Sequence, residues 1–281
     1  MKTGIKTFVL LSLALLVLNV QIQGQEYKFL EGPVSGITAV SGIDQPVTVK
    51  VIYDNYVHVD GLQSDWGFSI LVEGLDKTIL FDTGTKPEIF ASNFRKMDLD
   101  ASEIDLLVLS HEHGDHIGGI PAFVEMKRGI PVVFPHSFSN KFKKGMVDSG
   151  LEPVLVKEAA KICDNLYTSG EFDYQIAEHC LVLNTKQGLV VMTGCAHPGI
   201  IRMLREIKET FNKDIYMVFG GFHLLQKSEK MINEIILEMK DLGVVKCGAT
   251  HCTGDKQVQM FKEAFGENYF ELGVGNVITI E

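Results

Sequence analysis

Residues 106–119 read LLVLSHEHGDHIGG. Three histidines and two acids fall within the six positions 111–116, directly after an apolar run. The run ending at Leu109 is short and aliphatic, which fits a buried strand over 105–109. SHEHGDHIGG then reads as the loop leaving its carboxyl end, with a helix expected to start near Ile117 or Gly118. Such strand-end loops carry chemistry in layered α/β proteins, because a rigid sheet holds them in place. His111 and His113 are one residue apart, so extended backbone points both side chains the same way. Asp115 and His116 follow a turn at Gly114 and face a second point. Imidazoles and carboxylates are the usual ligands of zinc and related metals. One loop therefore opens two neighbouring metal positions, which a solvated loop with chance histidines does not explain.

Outward from this loop the chain alternates regularly. Strands are expected at 47–53, 68–73 and 78–81, then a helix at 87–96. A helix at 118–128 and strands near 131–134 and 153–156 follow the loop, then a strand pair at 180–184 and 189–193. The remainder alternates helix 198–211, strand 215–219, helix 228–241, strand 244–249, helix 255–265 and strand 276–280. Antiparallel pairs early and strand–helix alternation later predict an α/β protein, two mixed sheets packed together with helices outside. No Pro/Gly/Ser-rich linker divides the chain, so 25–281 reads as one domain.

The 281 residues are 46% apolar and 22% charged, ordinary for a globular protein, and the net charge of −10 argues against a nucleic-acid surface. The expected partner is a small molecule. Residues 1–24 differ: Lys2 and Lys6 precede the apolar stretch Phe8 to Val20, and Gly24 follows as a small residue. That is the pattern of a cleaved export signal, and the run is shorter than the ~20 residues of a membrane span. The expectation is a periplasmic or secreted protein with no stable span after cleavage; an uncleaved anchor is the alternative. Five cysteines are odd in number and sparse, so they form no disulfide framework. Cys195 and Cys252 each lie within two residues of a histidine, which suits a place at or near a metal. Cys163, Cys180 and Cys247 read as small core residues.

The spacing His-x-His-x-Asp-His over His111, His113, Asp115 and His116 resembles the signature of the metallo-beta-lactamase superfamily. ILFDTG at 79–84 is similar to its first motif, where Asp82 buttresses the metal loop, and WGFSILVE at 66–73 resembles the preceding strand. The resemblance implies a four-layer αββα sandwich with a dinuclear site at one edge, holding two divalent ions, zinc first and manganese, iron or magnesium as alternatives. TGCAHPGI at 193–200, GGFHL at 220–224, THCTG at 250–254 and YDN at 53–55 resemble the dihydropterin-synthase-like branch.

The resemblance makes His197 the third ligand of the first metal and His251 the last ligand of the second. His223 is a ligand, a substrate contact or a proton carrier, and the sequence leaves these open. Superfamily members place a bridging aspartate in a Thr-Gly-Asp turn where this chain has Cys195, so a thiolate ligand and a plain small residue both remain open there. Asp255 looks like a helix start, and His58, His136 and His179 carry no motif, although His179 lies near where other branches put a ligand. Paired cations lower the pKa of a shared water toward about 7. The expected function is hydrolysis of an ester, phosphoester or lactone, with Asp115 first a ligand and then a group that orients the water or passes its proton. A transferase joining a pterin to a phosphorylated ribosyl-aminobenzene is the first alternative, although export argues against it. A non-catalytic metal-containing sensor is the second.

Overall fold

Strands buried on both faces set the layers. In the computed structural model, which describes residues 17–22, 25–30, 34 and 41–281, Leu106 and Val108 point into one apolar cluster while Leu107 and Leu109 point into another. That is the pattern of a strand with sheet on one side and helix on the other. The first half of the chain contributes β1 (Val17–Ile22), β2 (Gln25–Leu30), β3 (Val47–Tyr53), β4 (Ser69–Glu73), β5 (Ile79–Phe81), β6 (Leu106–Val108), β7 (Pro131–Pro135) and β8 (Glu152–Val156). The second half adds β9 (Ala160–Cys163), β10 (Leu166–Thr168), β11 (Leu181–Asn184), β12 (Leu189–Thr193), β13 (Ile215–Gly221), β14 (Lys246–Thr250) and β15 (Val277–Ile280). They form a nine-stranded sheet, β1-β2-β8-β7-β6-β5-β4-β3-β15, and a six-stranded sheet, β14-β13-β12-β11-β10-β9.

Between the sheets lie Val49, Val51, Phe81, Val108, Leu183, Val190, Met192 and Phe219. Helices α1 (Pro87–Lys96), α3 (Ile120–Met126) and α4 (Asn140–Asp148) cover the outside of the larger sheet through Phe90, Phe94, Phe123 and Met146. Helices α5 (Ile200–Phe211), α6 (Glu229–Asp241) and α7 (Asp255–Phe265) cover the smaller one through Met203, Leu204, Ile236, Met239 and Phe261. The order is helix, sheet, sheet, helix, as expected. Strands β5 to β8 are mutually parallel, and so are β12 to β14. Loops from the carboxyl ends of β5, β6, β12, β13 and β14 therefore gather at one edge of the sandwich, and all carry residues of interest.

The structure corrects two expectations. The helix after β6 does not begin at Ile117 or Gly118: a short α2 (Gly114–Ile117) already includes Asp115 and His116, with extended His113 as its N-cap. The helix expected over 118–128 is the shorter α3, separated from α2 by Gly118 and Gly119. A Cβ on these glycines would meet the carbonyl oxygens of Thr85 and Thr83 at 1.9 and 2.1 Å, so the break follows from close packing of the metal loop on the β5 exit. Helix α4 and the β9–β10 hairpin, turning through Asn165 at φ 62°, are additional to the expected elements. Of the apolar run 8–20, only Val17 to Val20 falls within the described residues, as part of β1, which pairs antiparallel with β2. Of the proposed signal segment 1–24, residues 1–16 and 23–24 lie outside the described residues. No helix among the described residues is long and apolar enough to cross a membrane.

Candidate metal centre

His111 and Ser110 leave β6 fully buried, while α2 turns Asp115 and His116 toward the second sheet. From that sheet come Cys195 and His197 after β12, His223 after β13 and His251 after β14. Their donor atoms form four overlapping groups, each within 4.8 Å: His111, His113 and Asp115; His111, Cys195 and His197; Asp115, His116, Cys195 and His251; Cys195, His223 and Cys252. Every residue expected at the site from sequence is thus brought to one place, and Cys195 is shared by three of the groups. His179, by contrast, is buried away from it, bonded to Thr168 Oγ1 at 2.6 Å and to the carbonyl of Leu109 at 3.0 Å. Burial lowers its pKa to about 4, so it is neutral core.

Hydrogen bonds behind the imidazoles fix their tautomers. Asp82 Oδ2 lies 2.7 Å from His116 Nδ1, which therefore donates and leaves Nε2 as a lone pair facing inward. Ser110 donates its backbone N–H to Asp82 Oδ1 at 2.7 Å and its hydroxyl to Oδ2 at 2.7 Å. That hydroxyl can then accept from His111 Nδ1 at 2.9 Å. Asn55 Oδ1 accepts from His251 Nδ1 at 3.0 Å, and its amide donates to the His251 carbonyl at 3.2 Å. The outcome is two pairs of Nε2 atoms facing each other at 3.2 Å, His116 with His251 and His111 with His197. A cation has to sit between two lone pairs at that distance, a proton or a metal ion, and the imidazole, carboxylate and thiol donors gathered here fit a metal.

The charges agree. Burial opposes a charge on His116, but Asp82 and Asp115 overrule it and raise its pKa to about 9. Burial also works against ionisation of Asp115, yet His251 and His116 hold its carboxyl well below the ordinary value. Burial, reinforced by the neighbouring imidazoles, lowers His111 strongly and His197 to about 3. The pocket thus favours one positive charge against Asp82 and Asp115 while keeping His111, His113 and His197 neutral, as ligands must be.

Residues to which the sequence assigned no site role complete the site. Fully buried Glu178 accepts the backbone N–H groups of Cys195, Ala196 and His197, each at 2.8 Å, and so shapes the loop that carries two donors. Burial raises its pKa to about 7. The indole of Trp66 donates to Asp115 Oδ2 at 2.8 Å, with its ring centroid 5.0 Å from that of His251. Buried Asp54 accepts both of its Thr250 hydroxyl contacts at 2.8–2.9 Å, just before His251. Asp54 and Asn55 thereby give the YDN stretch a physical task. Eight non-glycine residues with positive φ occur among the described residues, and four of them, Asp82, Ala196, His223 and His251, sit here. Such backbone is sparsely populated and is held by its surroundings. All five cysteines are free thiols, and Cys163, Cys180 and Cys247 lie in the core as expected.

Residues 67–164 match the family model for the metallo-beta-lactamase superfamily. The chain is 30% identical to the 7,8-dihydropterin-6-methyl-4-(beta-D-ribofuranosyl)-aminobenzene-5'-phosphate synthase of Methanocaldococcus jannaschii, over 76% of this chain and 90% of that one. The chain belongs to the metallo-beta-lactamase superfamily. Among solved structures it resembles Tm1679, a metal-dependent hydrolase of the beta-lactamase superfamily, with 29% identity and a TM-score of 0.70 over 83% of this chain and 99% of that one. The metallo-beta-lactamase fold protein YhfI from Bacillus subtilis, at 16% identity and a TM-score of 0.61, shares the fold over 84% of this chain and all of its own. The protein is therefore an enzyme of the metallo-beta-lactamase fold, in the branch of the dihydropterin-type synthase.

Proposed function

We propose that this enzyme joins two small molecules, one of them phosphorylated, at a dinuclear metal centre. In this reading His111, His113 and His197 would hold one ion and Asp115, His116 and His251 the other, with the Cys195 thiol, whose pKa burial raises, available as a ligand once a metal displaces its proton. The observation that carries it is the breadth of the relationship to the synthase, 30% identity over 90% of that protein. The transferase alternative of the sequence reading thus moves ahead of hydrolysis. Zinc suits the imidazole–thiol set best, and magnesium, which prefers oxygen ligands, suits it least. Divalent ions bound here would polarise a phosphoryl or carbonyl oxygen and acidify a nucleophile. The chain's own task is to keep the Nε2 lone pairs aimed inward, through Asp82, Ser110 and Asn55, and to hold Asp115 ionised as a ligand.

Hydrolysis of an ester, phosphoester or lactone is the second reading, favoured by the likeness to the metal-dependent hydrolase Tm1679. Incubation of metal-loaded protein with a dihydropterin and a ribosyl-aminobenzene phosphate, followed by mass spectrometry, separates the two. A joined product supports the synthase reading; turnover of single phosphoesters or lactones with water supports the hydrolase. Unchanged metal content and activity in His111→Ala, His113→Ala and Asp115→Ala would sink both. We also propose export, on the strength of Lys2, Lys6 and the run from Phe8 to Val20. Intact mass of the protein purified from its cell envelope tests it: a chain still beginning at residue 1 counts against cleavage. Exported protein would not meet cytosolic pterins, so the inferred substrate is a phosphorylated compound rather than a pterin in particular.

A further inference from the structure

A cavity of about 610 Å³ opens beside the metal centre, with His113, His197 and His223 forming one wall. The whole chain carries 36 acidic residues against 26 Lys and Arg, yet no Asp or Glu lines this cavity, while Arg202 and Lys227 do. Lys227 is exposed and makes no ion pair among the described residues. Arg202 is partly engaged: its Nε holds Glu206 at 2.7 Å and one Nη reaches the Asp173 carbonyl at 3.4 Å. Its second amino group has no partner among the described residues, so Lys227 is the stronger anion contact and Arg202 the weaker.

The rim supplies the other half of the recognition. Tyr174 is 49% exposed and Met231 44%, both lining the cavity together with partly buried Ile235. Large apolar side chains left open around a cleft with a few convergent polar groups are the usual form of a small-molecule site. A free metal ligand set alone does not call for them.

We infer that this cavity seats an organic anion, with a flat apolar body lying against Tyr174 and Met231 and a phosphate or carboxylate group held by Lys227 and Arg202. The reacting end then reaches the wall formed by His113, His197 and His223. The inference rests on the proposed function for its metals, but the anion contacts are separate residues and can be tested alone. Phosphate monoester and carboxylate share this chemistry, and paired probes tell them apart.

Phenyl phosphate, benzoate and phenol are titrated by calorimetry into the protein as purified, into metal-stripped protein, and into Lys227→Gln and Arg202→Gln. Both variants change exposed side chains, and their metal content and thermal unfolding are checked against the parent. At least one anion is expected to bind roughly tenfold or more tightly than phenol. Lys227→Gln is expected to lose most of that preference and Arg202→Gln part of it, with phenol binding unaltered. Retention of the preference in stripped protein supports the cavity as its source. Anions that bind no better than phenol overturn the inference. So does a preference that survives both substitutions but vanishes on stripping, because the anion would then sit on the metals. Protein that purifies without metal would fail the proposed function and leave this comparison readable.

Discussion

Asp82 and Glu178 are both fully buried carboxylates one step behind the proposed ligands, but they grip different things. Asp82, at the end of β5, bonds the side chains of Ser110 and His116 and so sets which imidazole nitrogen faces the metal. Glu178 bonds three consecutive backbone N–H groups and sets where a whole loop runs. The first role tunes affinity for an ion. The second keeps a strained turn, with Ala196 at φ 59°, from relaxing.

That contrast can be broken at Glu178 most forcefully. Glu178→Ala leaves three buried donors without an acceptor at about 1–3 kcal/mol each, and allowing for water entry we expect a loss near 4 kcal/mol in denaturant unfolding. A loss below about 1 kcal/mol would mean the loop holds itself. The next residue, His179, gives the second largest effect, through pH. Its folded pKa of about 4 lies below the ordinary histidine value, so its contribution is complete above about pH 6.5 and is lost as pH falls toward 4. The loss amounts to about 3 kcal/mol over that window. Unfolding measured at the two ends for the parent and for His179→Asn should show the acid sensitivity shrinking in the variant.

Asp82→Ala should leave the fold standing and weaken metal binding roughly tenfold to a hundredfold, read by chelator competition. Equal damage to stability and to metal affinity would erase the distinction between the two carboxylates. The smallest effect belongs to Trp66→Phe, which keeps a ring against His251 and removes only the N–H bonded to Asp115. A loss of about fivefold in metal affinity is expected. Because Trp66 is the chain's one tryptophan, its fluorescence should follow metal loading in the parent.

What could be read from sequence follows the same division. His111, His113, Asp115 and His116 lie within one strand-end loop, so their spacing carries their geometry. Asp82 stood out because ILFDTG resembles the superfamily's first motif. Glu178 acts through backbone groups 17 to 19 residues away, and such bonds leave no residue pattern. Trp66 lies in the WGFSILVE stretch, but its bond to Asp115 spans 49 positions, which sequence spacing cannot show. In the fold, strands with clear alternation such as β3, and the long helices α1 and α7, have the expected bounds. The short α4 and the β9–β10 hairpin are too brief for periodicity to speak, and their places come from packing on neighbouring layers.

The outermost strand of the larger sheet bears on what the proposed signal cleavage would do. β1 pairs with β2 alone, and β2 pairs onward with β8 through Lys28 and Phe29. A cut after residue 24 would strip that cover and leave β2 as an open rim, its peptide groups free to recruit another strand. Lys28, exposed, lies on that rim. Charges so placed are what deter such self-association, so the shortened protein would carry its own guard against stacking edge to edge.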